Sequence, residues 1–300
     1  MTVVDHHHSH QSHDDQEPTK QSPPSVVVVV VVPFPLQSHL SQLLQLSHII
    51  SSHNIQVHYV GYALHISQVK SRASHALNDA KRIQFHDFPT PHFLSPLPTN
   101  TTFPSHLIPS FEASLNLRQP VMSLLTSLSK TAMRVVIIHD VLMSYVVQDS
   151  DSLPNTEAYI FHCVSAVSNF AFMRDAAGRH HDRPEIPSYE GCLVPEFEVF
   201  SNYQAQFLFK SGNKCGHLYN TCRLIDSEFL DSFLEEMRKI MGGNMKQWAI
   251  GPLETVTIFK NRSPNKVKGQ GQNKCLEWLD KAREELCVVH LFWEHNFHGR

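Results

Sequence analysis

His39 is a histidine whose type and position could do chemistry. It follows "VVVVVVVPFPLQS", a β-branched apolar run stopped by proline, and it opens a leucine-rich stretch, which places it in a turn between a strand and a helix. A neutral imidazole is the natural general base near neutral pH, since its reference pKa is about 6.5, and it could deprotonate a hydroxyl. Asp140 closes another apolar run, "RVVIIHD". A carboxylate there could fix one tautomer of the imidazole and stabilise the imidazolium as it forms. If both runs are strands of one parallel sheet, both residues reach its carboxyl edge, where ligands bind in open α/β sheets. The plainer alternative is an exposed His39 with Asp140 capping a helix. With 22 histidines in the chain, the pair alone is a weak signal. His139 falls on the opposite sheet face from Asp140 and reads as a packed histidine. His162, at the end of "EAYIFH", suits pocket lining and simple loop placement equally.

The elements that must position the pair alternate along the chain. After the valine run comes a helix with Leu40, Leu43, Leu44, Leu46, Ile49 and Ile50 at mostly helical spacing and Ser38 as its N-cap. "NIQVHYVGY" then reads as a strand, "HISQVKSRASHALNDA" as a helix and "RIQFHDF" as a strand. Residues 89–109 are too proline-rich for regular structure, with Phe93, Leu94, Phe103 and Leu107 as anchors. This stretch is either a loop pinned to the surface or a lid or pocket wall. A helix follows over 111–130, then the strand ending on Asp140, the strand "EAYIFHC", and a helix from Ser165. After a loop, "GHLYNTC" and "KQWAIGP" are strands flanking the helix "DSEFLDSFLEEMRKIM". Such alternation predicts an α/β fold, a doubly wound, mostly parallel Rossmann-like sheet over residues 25–252. Residues 1–24, rich in histidine and proline, are expected to be a disordered tail, and 253–272 a polar linker.

Composition excludes several classes of function. A net charge of -3 leaves no basic footprint, so neither nucleic acid nor an anionic membrane is expected as a partner. The valine run is far shorter than the roughly 20 residues of a membrane span, and its upstream flank is unlike a secretory signal. Six scattered cysteines without CxxC spacing suit reduced thiols in a cytoplasmic protein, with no disulfide framework and no structural zinc. His6, His7, His8, His10 and His13 could chelate a metal, but such terminal tracts are usually incidental. No GxGxxG follows the first strand, which removes the main support for a dinucleotide-dependent dehydrogenase, and no GxSxG elbow points to an α/β-hydrolase. Trp248 and Trp278 read as packing anchors.

At "VVVVPFPLQSHLSQLLQLSHIISSHNIQVHYVG" the chain resembles plant UDP-sugar-dependent glycosyltransferases of the two-domain GT-B type. "FHDFPTPHFLSP", "FPSHLIPSFEASLNLRQPV", "VVIIHDVLMSYVVQD", "YIFHCVSAVSNF", "LYNTCRLID", "QWAIGPL" and "KCLEWLDK" are similar, in the same order, to the zeatin O-glucosyltransferase and O-xylosyltransferase subgroup. The resemblance implies the N-terminal, acceptor-binding half of a GT-B fold. It also implies inverting transfer of glucose or xylose from a UDP-sugar, as co-substrate, to the hydroxyl of zeatin, without cofactor or metal. By position His39 resembles the family's general base and Asp140 its orienting carboxylate, and Phe34, Phe93, Phe161 and His162 are candidates for the acceptor wall. The oligomeric state is not determined by these residues, and a monomer is the default. Two departures stand out. Ser38 replaces the family's usual glycine, and after "KCLEWLDK" the chain continues "AREELCVVHLFWEHNFHGR" instead of a Tyr-Val-Ser-Phe-Gly-like strand. Residues 273–300 then read as a remnant of the donor domain, too small to bury a core, so transfer by this chain is expected to be impaired. The alternative is a non-catalytic domain that binds a cytokinin-like small molecule.

Overall fold

The computed structural model describes residues 27–72, 82–94, 96–97, 103–176, 178–179, 186, 188–208, 216–240 and 246–253. The expected tail at 1–24, nearly all of the expected linker and the segment at 273–300 lie outside these residues. In chain order the elements are β1 (Val27–Val32), α1 (Gln37–Ser52), β2 (Gln56–Tyr62), α2 (Ala63–Arg72) and β3 (Ile83–Phe88). They continue with α3 (Ile108–Ser114), α4 (Arg118–Thr131), β4 (Arg134–Asp140), α5 (Ser144–Val147) and β5 (Thr156–His162). The last are α6 (Ala166–Ala176), α7 (Pro195–Leu208), β6 (Gly216–Tyr219), α8 (Arg223–Ile240) and β7 (Lys246–Ala249).

The strands form one sheet in the order β3-β2-β1-β4-β5-β6-β7, and every adjacent pair runs parallel. The direction of winding reverses between β1 and β4, which are neighbours with Val32 opposite His139. That switch leaves a crevice at the carboxyl ends of two strands. Successive valines of β1 serve opposite faces. Val28, Val30 and Val32 pack with Val135, Ile137, Leu125 and Phe111, whereas Val29 and Val31 pack with Ile138, Leu40, Leu43 and Phe161. The same parity puts Asp140 on the α1 face and His139 on the other. A β-branched run without polar interruption therefore suits a strand covered on both sides.

Three sequence expectations need correction. The N-cap of α1 is Leu36, whose side chain makes no capping bond, so Ser38 lies inside the helix and His39 in its first turn rather than before it. The chain turns already at Phe34, where the Leu36 N–H donates to the Phe34 carbonyl, and the Leu36 carbonyl then receives the Leu40 N–H. The helix expected over 111–130 starts earlier and is divided into α3 and α4 by a 3₁₀ turn at Leu115–Leu117. Pro109 is accommodated at the start of α3. Pro120 has no N–H to give and would clash with the preceding turn of a continuous helix. Finally, α7 occupies a stretch expected to be loop.

Of the proline-rich segment after β3, Phe103 packs on Phe197 at 4.9 Å, and Leu107 also reaches the core. Leu94 is exposed and anchors nothing. No described helix is long and apolar enough to cross a membrane. Leu43 is fully buried under α1, between the helix that carries His39 and the sheet. Leu43→Ala is expected to cost about 2–5 kcal/mol through lost burial and the cavity left behind, read as a lower urea midpoint at unchanged slope.

Candidate functional site

His39 and Asp140 meet across the switch point although 101 positions separate them in sequence. His39 Nδ1 lies 2.6 Å from Asp140 Oδ2. The carboxylate is fully buried, and the imidazole is 12% exposed. Three donors satisfy the carboxylate. Nδ1–H of His39 and the Cys163 thiol, at 3.2 Å, both donate to Oδ2, and the Leu142 N–H donates to Oδ1 at 2.9 Å. Asp140 thus caps the short turn at Val141–Met143 and holds His39 at once, so both sequence readings of this residue are present together.

Burial alone would push the Asp140 carboxyl up. The charge on His39, its hydrogen bond, the Leu142 N–H and the Cys163 thiol together hold it below its ordinary value. For His39, burial disfavours the imidazolium, but the Asp140 charge and hydrogen bond outweigh it and raise its pKa. With Nδ1–H committed to the carboxylate, the lone pair of the neutral ring lies on Nε2. Burial lowers His139 to about 4, and its Nδ1 bonds the Asp140 backbone carbonyl, so it stays neutral and packed.

The ring of Phe34 stands edge-on to His39, with centroids 5.4 Å apart, and packs on Phe111 and Phe200 at 4.6 and 5.8 Å. It has no exposed surface and buttresses the imidazole from within the core. Phe161 lies opposite Asp140 in the β4–β5 register, yet its ring is fully buried among Val31, Leu40 and Ile138. His162 turns away toward β6, where Nε2 meets His217 Nδ1 at 2.8 Å and the ring stacks on Tyr219 at 4.5 Å. Phe93 is half-buried on the segment after β3, three strands from β4. The structure therefore packs Phe34 on His39, sets Phe161 beside Asp140 with its ring in the core, turns His162 toward β6, and leaves Phe93 on the segment after β3.

Sequence reasoning missed Cys163. Its position two residues after Phe161, just beyond a strand end and on the α1 face, was the available signal. It also missed α7, whose Phe200 backs Phe34. Pro195 at the helix start with Glu196 and Glu198 in the first turn marked it. Among the described residues, His39 Nδ1, Asp140 Oδ2 and Cys163 Sγ are the one trio of possible metal-ligating atoms lying within 4.8 Å of each other. A surface cavity of about 360 Å³ lies elsewhere, between Phe172 and Asp175 of α6, Tyr189, and Glu198 of α7, and no residue of the dyad lines it.

The profile of a family described as "Glycosyltransferase, N-terminal domain" matches residues 25–255, a span that contains all seven strands of the sheet. The chain belongs to that family. Among its relatives, this glycosyltransferase domain is 41% identical over 265 residues to a zeatin O-glucosyltransferase of Phaseolus lunatus, covering 87% of this chain and 54% of that protein. It is also 41% identical over 265 residues to a zeatin O-xylosyltransferase of Phaseolus vulgaris, covering 87% and 55%. The chain thus spans about half the length of the curated relatives it matches. A crystal structure of UGT73P12 from Glycyrrhiza uralensis, complexed with glycyrrhetinic acid 3-O-monoglucuronide, superposes with a TM-score of 0.59 at 18% identity, covering 87% of this chain and 55% of that one. The seven-stranded parallel sheet is that of the N-terminal domain of GT-B glycosyltransferases.

The raised pKa of His39 and the lowered one of Asp140 fix how stability varies with pH. The His39 contribution is present in full below about 6.5 and fades as pH rises through the elevated folded value. The Asp140 contribution is present above about 3.8 and fades as pH falls through its depressed value. The stability difference between the protein and its His39→Ala variant is expected to be greatest near about pH 5 and to shrink as pH rises above about 6.5. Urea unfolding at each pH measures it, and a difference that grows with pH contradicts the pairing.

Proposed function

We propose that these residues form the acceptor-activating half of a UDP-sugar-dependent glycosyltransferase. It would move glucose or xylose, with inversion, onto the hydroxyl of zeatin or a similar small alcohol. One observation carries the reading: the 2.6 Å contact between His39 Nδ1 and a carboxylate without solvent exposure, at the switch point of a parallel sheet. The names of the relatives from Phaseolus lunatus and Phaseolus vulgaris support the acceptor and the two sugars.

In this mechanism His39 Nε2 takes the proton of the acceptor hydroxyl while the oxygen forms a bond to the anomeric carbon. The bond from that carbon to the UDP oxygen breaks, and UDP leaves with the electron pair. Attack from the face opposite the leaving group inverts the carbon. Asp140 accepts the Nδ1–H throughout and offsets the positive charge that His39 gains, a role that needs a permanently ionised carboxylate. Phe34, packed against the imidazole, limits its rotation. The hydroxyl and the sugar carbon must also be held within bonding reach of each other. The curated relatives devote to the whole reaction about twice the length matched here, so little transfer is expected from the 300-residue chain alone. The second reading is a domain that binds a cytokinin-like molecule without transferring sugar.

The test replaces the matching N-terminal segment of the Phaseolus lunatus enzyme with residues 25–255 of this chain. The chimera is expected to transfer glucose from UDP-glucose to zeatin, and His39→Ala within it to lower the rate about 10²–10⁴-fold with zeatin binding retained. A folded chimera whose rate does not respond to His39→Ala would falsify the base assignment. Zeatin binding with no transfer by any chimera favours the second reading.

A further inference from the structure

We propose that His39, Asp140 and Cys163 form a binding site for one thiophilic divalent cation of the zinc class, and that filling it removes His39 from service as a base. The three donor atoms, a nitrogen, an oxygen and a sulfur, come from α1, from the end of β4 and from just beyond β5, and they already converge. His39 Nδ1 and Cys163 Sγ lie 2.6 and 3.2 Å from Asp140 Oδ2, and all three atoms are within 4.8 Å of one another. Zinc binds nitrogen and oxygen at about 2.0–2.2 Å and sulfur at about 2.3 Å. Tetrahedral neighbours therefore stand roughly 3.2–3.6 Å apart. The histidine–carboxylate spacing needs to open by roughly 0.6–1.0 Å for a cation to replace the shared proton.

Charge favours the exchange. Burying a divalent cation requires anionic ligands, and one carboxylate plus one thiolate neutralise it with the imidazole uncharged. The Cys163 S–H proton is released to water as the metal–sulfur bond forms. The His39 Nδ1–H proton leaves as the metal–nitrogen bond forms, and Nε2 takes up one proton from water, so the imidazole stays neutral. A mixed nitrogen, oxygen and sulfur set selects zinc-like ions over calcium or magnesium, which need six or more oxygen ligands or an octahedral shell of water. The Leu142 N–H on Oδ1 supplies an outer hydrogen bond that fixes the carboxylate as a ligand. Half-buried Cys163 and partly exposed His39 give the ion a way in, and water can take the fourth position.

The consequence for catalysis rests on the proposed function, whereas the binding does not. A cation on Nδ1 leaves the ring proton on Nε2, so the nitrogen that would receive the hydroxyl proton has no lone pair to offer. The cation would then act as an inhibitor of the proposed transfer.

The test is a titration of the purified full chain with cobalt(II) under reducing conditions, followed by near-ultraviolet thiolate-to-cobalt charge-transfer absorption. That signal ignores nitrogen-only binding by His6, His7, His8, His10 and His13. The expected result is a band that saturates at one equivalent, is displaced by zinc, and is lost in Cys163→Ser and weakened in His39→Gln, both with unchanged circular dichroism. A parent chain with no such band, or a band undiminished in Cys163→Ser, overturns the proposal. If Cys163→Ser does not fold, a band undiminished in His39→Gln overturns it equally. A chain that binds cobalt in this way yet serves no active chimera upholds the site and counts only against the transfer reaction.

Discussion

A carboxylate with no access to water must be neutralised by its neighbours or give up its charge, and the centre of this molecule is arranged around that requirement. Asp140 keeps its charge because a helix, a tight turn and the end of a third segment each aim one hydrogen at it. An unpaired buried charge costs several kcal/mol, so α1, the Val141–Met143 turn and the residue after β5 are not independent of one another. Moving any of them leaves the carboxylate short of a donor. The orientation of the imidazole is a by-product of satisfying the acid.

The sheet supplies the place where such convergence is possible. Between β1 and β4 the winding changes direction, so the segments that leave these two strands go to opposite sides of the sheet. His39 leaves one strand and Asp140 ends the other. Phe34 closes the floor beside them, held by Phe111 and by Phe200, so helices far apart in sequence brace the ring that braces the imidazole.

Much of this was legible in the sequence, and the parts that were not share a cause. Strand ends are announced by apolar runs and what stops them, which is why His39 and Asp140 could be paired before any coordinates. The two-residue period correctly sent His139 to the other face. Phe161 and His162 were harder. A residue at a strand end can face a crevice, the core or the next strand, and only the positions of α1 and β6 decide. Cys163 carries only its place beyond a strand end as a signal, because its role comes from a carboxylate 23 positions away. The start of α1 was misplaced by two residues because the turn at Phe34 is closed by backbone bonds, which side-chain capping rules do not see.

The central strand has a further property that its burial conceals. Val26 to Val32 are identical, so apart from its ends β1 carries no information about how far along it should sit between β2 and β4. Sliding by two positions would return every methyl group to an equivalent pocket, a displacement of about 6.6 Å along the strand. That is enough to carry the imidazole out of reach of its acid. The punctuation after the run therefore sets the alignment: two prolines that cannot extend the ladder, and between them an aromatic ring buried against Phe111 and Phe200.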